Sequence, residues 1–248
     1  MITEPLFYLV AIPAVLITGI SKGGFGGLAL FAVPLLSLVI PPVQAAGIIL
    51  PILLAMDASS VYTYRSSWDK RNLLILLPPA IIGIGIATLT ASYVKDDHVR
   101  LIVGVIAVLF SLHYWFKGGA SAEKKTPSKP FGLLMGSLSG YSSFVAHAGG
   151  PAFQLFVLPQ KLDRKLYAGT AVMFFAALNA IKLIPYTFLG LLDTTNLSTS
   201  LLLIPLAPLG IFLGFWINQR VSNELFYKII YSAIFLVGLK LIIQGLGL

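Results

Sequence analysis

The chain has 248 residues, 57% hydrophobic and 10% charged, with a mean hydropathy of +0.91 and a net charge of +8. A soluble domain is about a quarter charged, which excludes one here, and the basic balance reads as the Lys and Arg excess of cytoplasmic membrane loops, so no nucleic-acid partner is expected. The sequence contains no cysteine, which excludes disulfides, thiol catalysis and thiolate metal sites.

Apolar runs of about 20 residues recur along the chain, each long enough to cross a hydrocarbon core as helix. Short alternating segments of the kind a β-barrel needs are not visible. The N-terminal stretch MITEPLFYLV lacks the positive region of a secretory signal, so the first run is expected to be retained. Polar or Pro-rich breaks place segments at 5–21, 28–40, 43–63, 72–93 and 99–116, then at 131–146, 151–158, 166–190, 196–218 and 223–246. Between the two sets lies the polar stretch Lys117 to Pro130 (KGGASAEKKTPSKP), a flexible linker. It divides the chain into a first repeat, 1–116, and a second, 131–248, within one integral membrane domain.

Charge sets the orientation. Arg65, Lys70 and Arg71 share one loop, Lys117, Lys124, Lys125 and Lys129 the linker, Lys161, Arg164 and Lys165 another loop, and Arg220 a fourth. The opposite loops hold only Lys95 and Arg100, offset by Asp96 and Asp97. The positive loops and the linker are therefore cytoplasmic and both termini lie on the other side, in a bacterial inner membrane. Trp68, Trp115 and Trp216 fall beside the cytoplasmic loops, where an aromatic belt belongs. With both its flanks cytoplasmic, 131–158 must enter and return, yet it is too short for two ordinary spans. It reads as a helical hairpin broken near "HAGGP", His147 to Pro151, and "SKGGFGG", Ser21 to Gly27, as the tip or break of a matching hairpin.

The two halves resemble each other. Gly26-Gly27 matches Gly149-Gly150, and an offset of 122 pairs Ala46-Gly47 with Ala168-Gly169 and Asp57 with Asn179. Later an offset of 127 pairs Pro78 with Pro205, Gly83 with Gly210 and Asp97 with Glu224. Each repeat then holds one broken hairpin and three spans, an odd number of segments, so the second copy enters from the opposite face. The expected fold is an all-α polytopic membrane protein with an inverted repeat of two halves, about eight to ten segments according to how each hairpin is counted.

A helix that starts inside the membrane leaves its first amides without partners, and such backbone is tolerated where it lines a watery cavity. Those amides and the helix dipole attract an anion, and glycine lets the ligand come close. Pro151 suits the first turn of the second half-helix. Two such N-termini related by a two-fold axis could flank a small oxyanion near the midplane. The bland alternative is that the glycines serve close helix packing.

Few charged residues lie within the apolar stretches: between residues 5 and 63 there are only Lys22 and Asp57, and the second half offers His147 and Lys182. Such residues usually face the protein interior or a cavity. Lys22 could supply charge to an anion, snorkel, or pair with Asp57. Lys182, one turn beyond Asn179, could line the pathway or reach toward the outer interface. Asp57 could take up a coupling proton, and His147 could bind substrate, relay a proton, or be structural. The substrate-binding candidates are thus Ser21, Lys22, Gly23, Gly24, Gly26, Gly27, His147, Ala148, Gly149, Gly150, Gln154 and Asn179, with Asp57 and Lys182 as coupling candidates.

The run "GISKGGFGGLALFAVPLL" with "QAAGIILPILLAMD", echoed by "HAGGPAFQLFVLP" and "AGTAVMFFAALNAIKL", resembles the TauE/SafE family of sulfite and organosulfonate exporters over nearly the whole chain. The resemblance implies a transporter of small sulfur-containing anions such as sulfite or organosulfonates; the broken hairpins suggest a secondary carrier working by alternating access, and no cofactor or metal is expected. The expected partners are the small anionic substrate and the lipid bilayer, with a homo-oligomer compatible. A small-anion channel using the same half-helix N-termini is the alternative. An enzyme is disfavoured because neither HExxH nor GxSxG occurs, and no Walker motif supports ATP-driven transport within this chain. A cation carrier is disfavoured because Asp57 is the one acidic residue clearly inside a span.

Overall fold

Long apolar runs need a place for every backbone amide, and in hydrocarbon only helix supplies it within the segment. The computed structural model describes residues 1–25, 29, 32–36, 38–90, 96–116 and 124–247, and the described chain is helical throughout, with no strand. In chain order come α1 (Pro5–Ile20), α2 (Ala32–Leu36), α3 (Pro42–Tyr64), α4 (Lys70–Thr90), α5 (Asp96–Phe116) and α6 (Lys129–Ala146). They are followed by α7 (Gly150–Val157), α8 (Arg164–Phe188), α9 (Thr194–Leu203), α10 (Ala207–Arg220) and α11 (Asn223–Gly245). Among the described residues five stretches are long and apolar enough to cross a membrane: Pro5–Gly23, Val43–Tyr64, Lys70–Thr90, Arg164–Phe188 and Thr194–Arg220, the last joining α9 to α10 through a 3₁₀ turn.

Local chemistry sets the helix starts. Asp163 accepts from the Lys165 N–H at 3.0 Å, Asp193 from the Asn196 N–H at 2.8 Å, and Ser222 from the Leu225 N–H at 3.2 Å. Each cap satisfies an amide with no intrahelical partner and is worth about 1 kcal/mol. Hydroxyls within the spans donate to the carbonyl one turn back, as Thr18 does to Ala14 at 2.7 Å and Ser111 to Ala107 at 2.9 Å.

The distribution of side chains is inverted relative to a soluble protein. Leu9, Leu74, Leu89, Phe188 and Leu201 lie on the outside, whereas Lys22, Asp57, Asn179 and Lys182 are buried. Leu and Phe on the surface cost nothing against lipid tails, while charges are driven inward. This is a polytopic membrane protein. At the basic loops Arg65 stacks 4.3 Å from the Tyr62 ring and Arg220 4.1 Å from the Trp216 ring, cation–aromatic pairs suited to the membrane–water boundary.

Packing follows a two-fold relation. α1 lies on α10 as α6 lies on α4, and α3 meets α9 as α8 meets α4. The related helices α3 and α8 pack on each other, and so do α5 and α11. Both pairs are antiparallel. A Cβ on Gly104 would meet the Gly238 carbonyl, and one on Gly245 would meet Asp97 and Leu101, so α5 and α11 run oppositely. A Cβ on Gly169, at the start of α8, would meet Ser67 just after α3, and one on Gly47, at the start of α3, would meet Leu191 just after α8. Antiparallel partners under one two-fold are what an inverted repeat requires.

Of the stretch Ser21–Gly27, expected as the tip or break of a hairpin, the described part continues α1 as a π-helical turn over Ser21–Phe25. The reason is packing that glycine content alone does not reveal. Gly19 and Gly23 on this arm lie against Gly210 and Gly214 of α10, closely enough that a Cβ at Gly23 would come within 2.7 Å of Gly214 Cα. Backbone contact of this kind sustains a glycine-rich helix. Gly26 and Gly27, where a break would then fall, lie outside the described residues. In the second hairpin the break is at His147–Gly149, with His147 in the left-handed region (φ 52°) and Pro151 in the first turn of α7.

Candidate functional site

The Asp57 carboxylate is the hub of a buried polar seam. Lys22, on the π-helical turn, is in ion-pair contact with one of its oxygens, and Asn179 of α8 donates to the other at 2.7 Å. Asp57 and Asn179 are the positions the repeat superposes, so their contact marks the two-fold axis. One turn along α8, the Lys182 ammonium is fully buried. It donates to the Ser143 carbonyl at 3.1 Å, to the Ser143 hydroxyl at 3.1 Å and to His147 Nδ1 at 2.7 Å. The other imidazole nitrogen, Nε2, lies 3.1 Å from the Ala46 carbonyl. A carbonyl can only accept, so Nε2 carries the proton, and Nδ1, bare in the neutral ring, accepts from Lys182. His147 is therefore neutral in this arrangement.

The seam thus holds two lysine amines, one carboxylate and an imidazole. Lys182 has no carboxylate within ion-pair distance among the described residues. A buried charge costs several kcal/mol unless paired, so an ammonium at Lys182 would leave surplus positive charge in the seam.

The repeat also governs contacts that sequence reasoning missed. The offset of 122 that relates Asp57 to Asn179 relates Ser60 to Lys182 and Tyr64 to Tyr186. Tyr64 donates to the Gly23 carbonyl at 2.9 Å, and Tyr186 to the Phe144 carbonyl at 2.7 Å. Each repeat therefore pins the end of a hairpin arm with a tyrosine from its own long helix. The signal was present in the sequence as D-x-x-S-x-x-x-Y against N-x-x-K-x-x-x-Y.

Lys22, Asp57, His147, Asn179 and Lys182 come together in the seam. The polar contacts described here use side chains and the carbonyls of Gly23, Ala46, Ser143 and Phe144. The N-terminal approach to α2 falls in part on residues outside the described set, as do Gly26 and Gly27. Gly23 turns its open side to α10, and a Cβ on Gly149 would lie 2.6 Å from the Ser139 carbonyl, so both positions serve close packing. Ser139 also donates to the Gly149 carbonyl at 2.7 Å, bracing the break. Ser21 is buried beside Lys22, Gly24 lies in the same turn, and Ala148, Gly150 and Gln154 are buried at the start of α7. No group of His, Asp and Glu that could hold a metal exists among the described residues.

The family model described as sulfite exporter TauE/SafE matches residues 11–241. The chain belongs to this family. TauE/SafE membership fits the buried basic seam, and it makes the chain a membrane transporter of the sulfite-exporter kind. No curated protein and no solved structure matches it.

Proposed function

We propose that this TauE/SafE protein is a secondary carrier that exports small sulfur oxyanions, sulfite or organosulfonates, by alternating access, with the anion held in the seam between Lys22 and Lys182. In this reading the linker is cytoplasmic, both termini lie on the opposite side, and the membrane is a bacterial inner membrane. The observation that carries it is Lys182: a fully buried lysine amine with no carboxylate partner among the described residues, in a chain whose outer surface is apolar. A monoanion would balance the surplus charge of the seam. His147 holds the ammonium in the unloaded protein and yields it to substrate. Asp57 and Lys182 set the charge balance on which any coupling to protons depends.

The test is anion binding to purified protein by calorimetry, with sulfite, thiosulfate, methanesulfonate, sulfate and acetate, repeated on Lys182→Met, Lys22→Ala and His147→Ala. Saturable binding of a sulfur oxyanion, weakened at least tenfold by Lys182→Met while the variant still unfolds cooperatively, is the expected result. Undiminished binding in that variant, or binding of no oxyanion by the parent, overturns the reading. Flux in proteoliposomes that is stimulated by substrate on the far side separates a carrier from an anion channel.

A further inference from the structure

Ser60 is fully buried, and its hydroxyl has no hydrogen-bond partner among the described residues. That is unusual within this chain. Buried hydroxyls at Thr18, Ser111 and Thr170 donate to the carbonyl four residues back, at 2.7, 2.9 and 2.6 Å. A buried hydroxyl left unsatisfied in a native protein calls for an explanation, such as an unseen water or a ligand.

Its position says which. Ser60 stands three residues after Asp57 and four before Tyr64, on one face of α3. Both neighbours on that face reach the π-helical turn: Asp57 pairs with Lys22, and Tyr64 donates to the Gly23 carbonyl. Ser60 therefore faces the same turn, between an ammonium and a pinned backbone. Turns with π geometry occur often at functional sites.

The two-fold sharpens the point. The counterpart of Ser60 is Lys182, whose long side chain fills the space up to Ser143 and His147 in the second hairpin. In the first repeat the corresponding position carries only a short hydroxyl side chain. The second half brings its own cation to this position. The first half brings a short donor, with the Lys22 cation held to one side by Asp57.

We propose that Ser60 is a substrate ligand, and that the α3 face against the π-helical turn is the first repeat's half of an oxyanion site. This rests on the carrier reading above. The chemical class follows from the groups present: a hydroxyl donor and an ammonium suit a sulfonate or sulfite oxygen, which accepts from both.

The experiment compares the parent with Ser60→Ala in two measurements, methanesulfonate and sulfite affinity by calorimetry and thermal unfolding of the unloaded protein. The hydroxyl has no partner among the described residues to lose, so the unloaded variant is expected to melt at the parent's temperature or higher. Its affinity is expected to fall about tenfold, the usual loss for one hydrogen bond to a charged group. Unchanged affinity overturns the proposal. So does lower affinity accompanied by a clearly lower melting temperature, which would make the hydroxyl a structural element. Binding lost in Lys182→Met but kept in Ser60→Ala leaves the carrier reading standing and removes Ser60 from the site. Failure of the parent to bind any sulfur oxyanion removes the carrier reading itself.

Discussion

Taking away the Asp57 carboxylate strands Lys22. The ion pair is buried on both sides, with side chains 8% and 6% exposed, so neither charge can fall back on water. Breaking such a pair from one side costs about 3–5 kcal/mol, far more than the pair is worth against a neutral replacement of similar shape. Asp57→Asn alone is therefore expected to destabilise the protein by about that amount, and Lys22→Met alone by a comparable one. The double variant Lys22→Met with Asp57→Asn is expected to recover most of the loss. Thermal unfolding in detergent measures all three, and the coupling in the cycle should exceed about 1 kcal/mol. Additive losses would mean that the two side chains act independently, and the hub role of Asp57 would have to be abandoned. The sequence left open whether Lys22 snorkels, pairs with Asp57 or serves an anion; the buried contact with Asp57 is observed, and burial depends on which helices surround the turn, which no local pattern encodes.

At the scale of elements, the loops after α3 and α8 carry matching chemistry. Asp69 accepts from the Asn72 N–H at 2.7 Å and Asp193 from the Asn196 N–H at 2.8 Å, the same D-x-x-N cap at related positions. Each loop lays a carbonyl over a glycine at the start of the other long helix, Ser67 over Gly169 and Leu191 over Gly47. A Cβ would sit 1.7 Å from the first carbonyl and 2.4 Å from the second, distances no packing tolerates, and in both cases the obstructing atom is backbone. Because α3 and α8 are antiparallel, the two contacts close opposite ends of the helix pair. Gly169→Ala is expected to loosen the 65–69 loop, where the Asp69 N–H donates to Thr170 at 2.9 Å, and to leave the 189–193 loop as it was. Gly47→Ala should do the reverse. Hydrogen exchange of the two loops reads this directly, and equal acceleration of both in either variant would show that the two ends are not independent. Segment positions were legible because span length and apolar runs are local properties: 43–63, 72–93 and 223–246 became α3, α4 and α11 within a few residues. Of the Ser21–Gly27 stretch, the π-helical turn over Ser21–Phe25 was not legible, because glycine content says nothing of the α10 surface that packs against it.

For the molecule as a whole, the two-fold was legible from constant offsets, since duplicated halves keep their spacing, and the Asp57–Asn179 contact across a separation of 122 residues bears that out. The composition of the site was legible only as a set of unusual residues. Their connections, Lys182 to His147 above all, required the second hairpin to be placed against α8. Those connections bear on energetics. The groups most able to take up a proton are engaged: both oxygens of Asp57 are held by Lys22 and Asn179, and both nitrogens of His147 are occupied. Protonating either would break a buried contact, so the carrier proposed above is expected to move its anion without a proton. Export of a monoanion then carries one charge per cycle, and an interior-negative potential drives it by about 2.3 kcal/mol per 100 mV, close to a fiftyfold gradient. Proteoliposomes loaded with methanesulfonate, a monoanion at all accessible pH, are expected to release it faster when a potassium diffusion potential makes the lumen negative. Release should slow when the sign is reversed and should be unaffected by a pH gradient once the potential is clamped. Release that ignores the potential but stops when the pH gradient is collapsed would mean that a proton travels with the anion. The carboxylate of Asp57 would then have to leave Lys22 during every cycle.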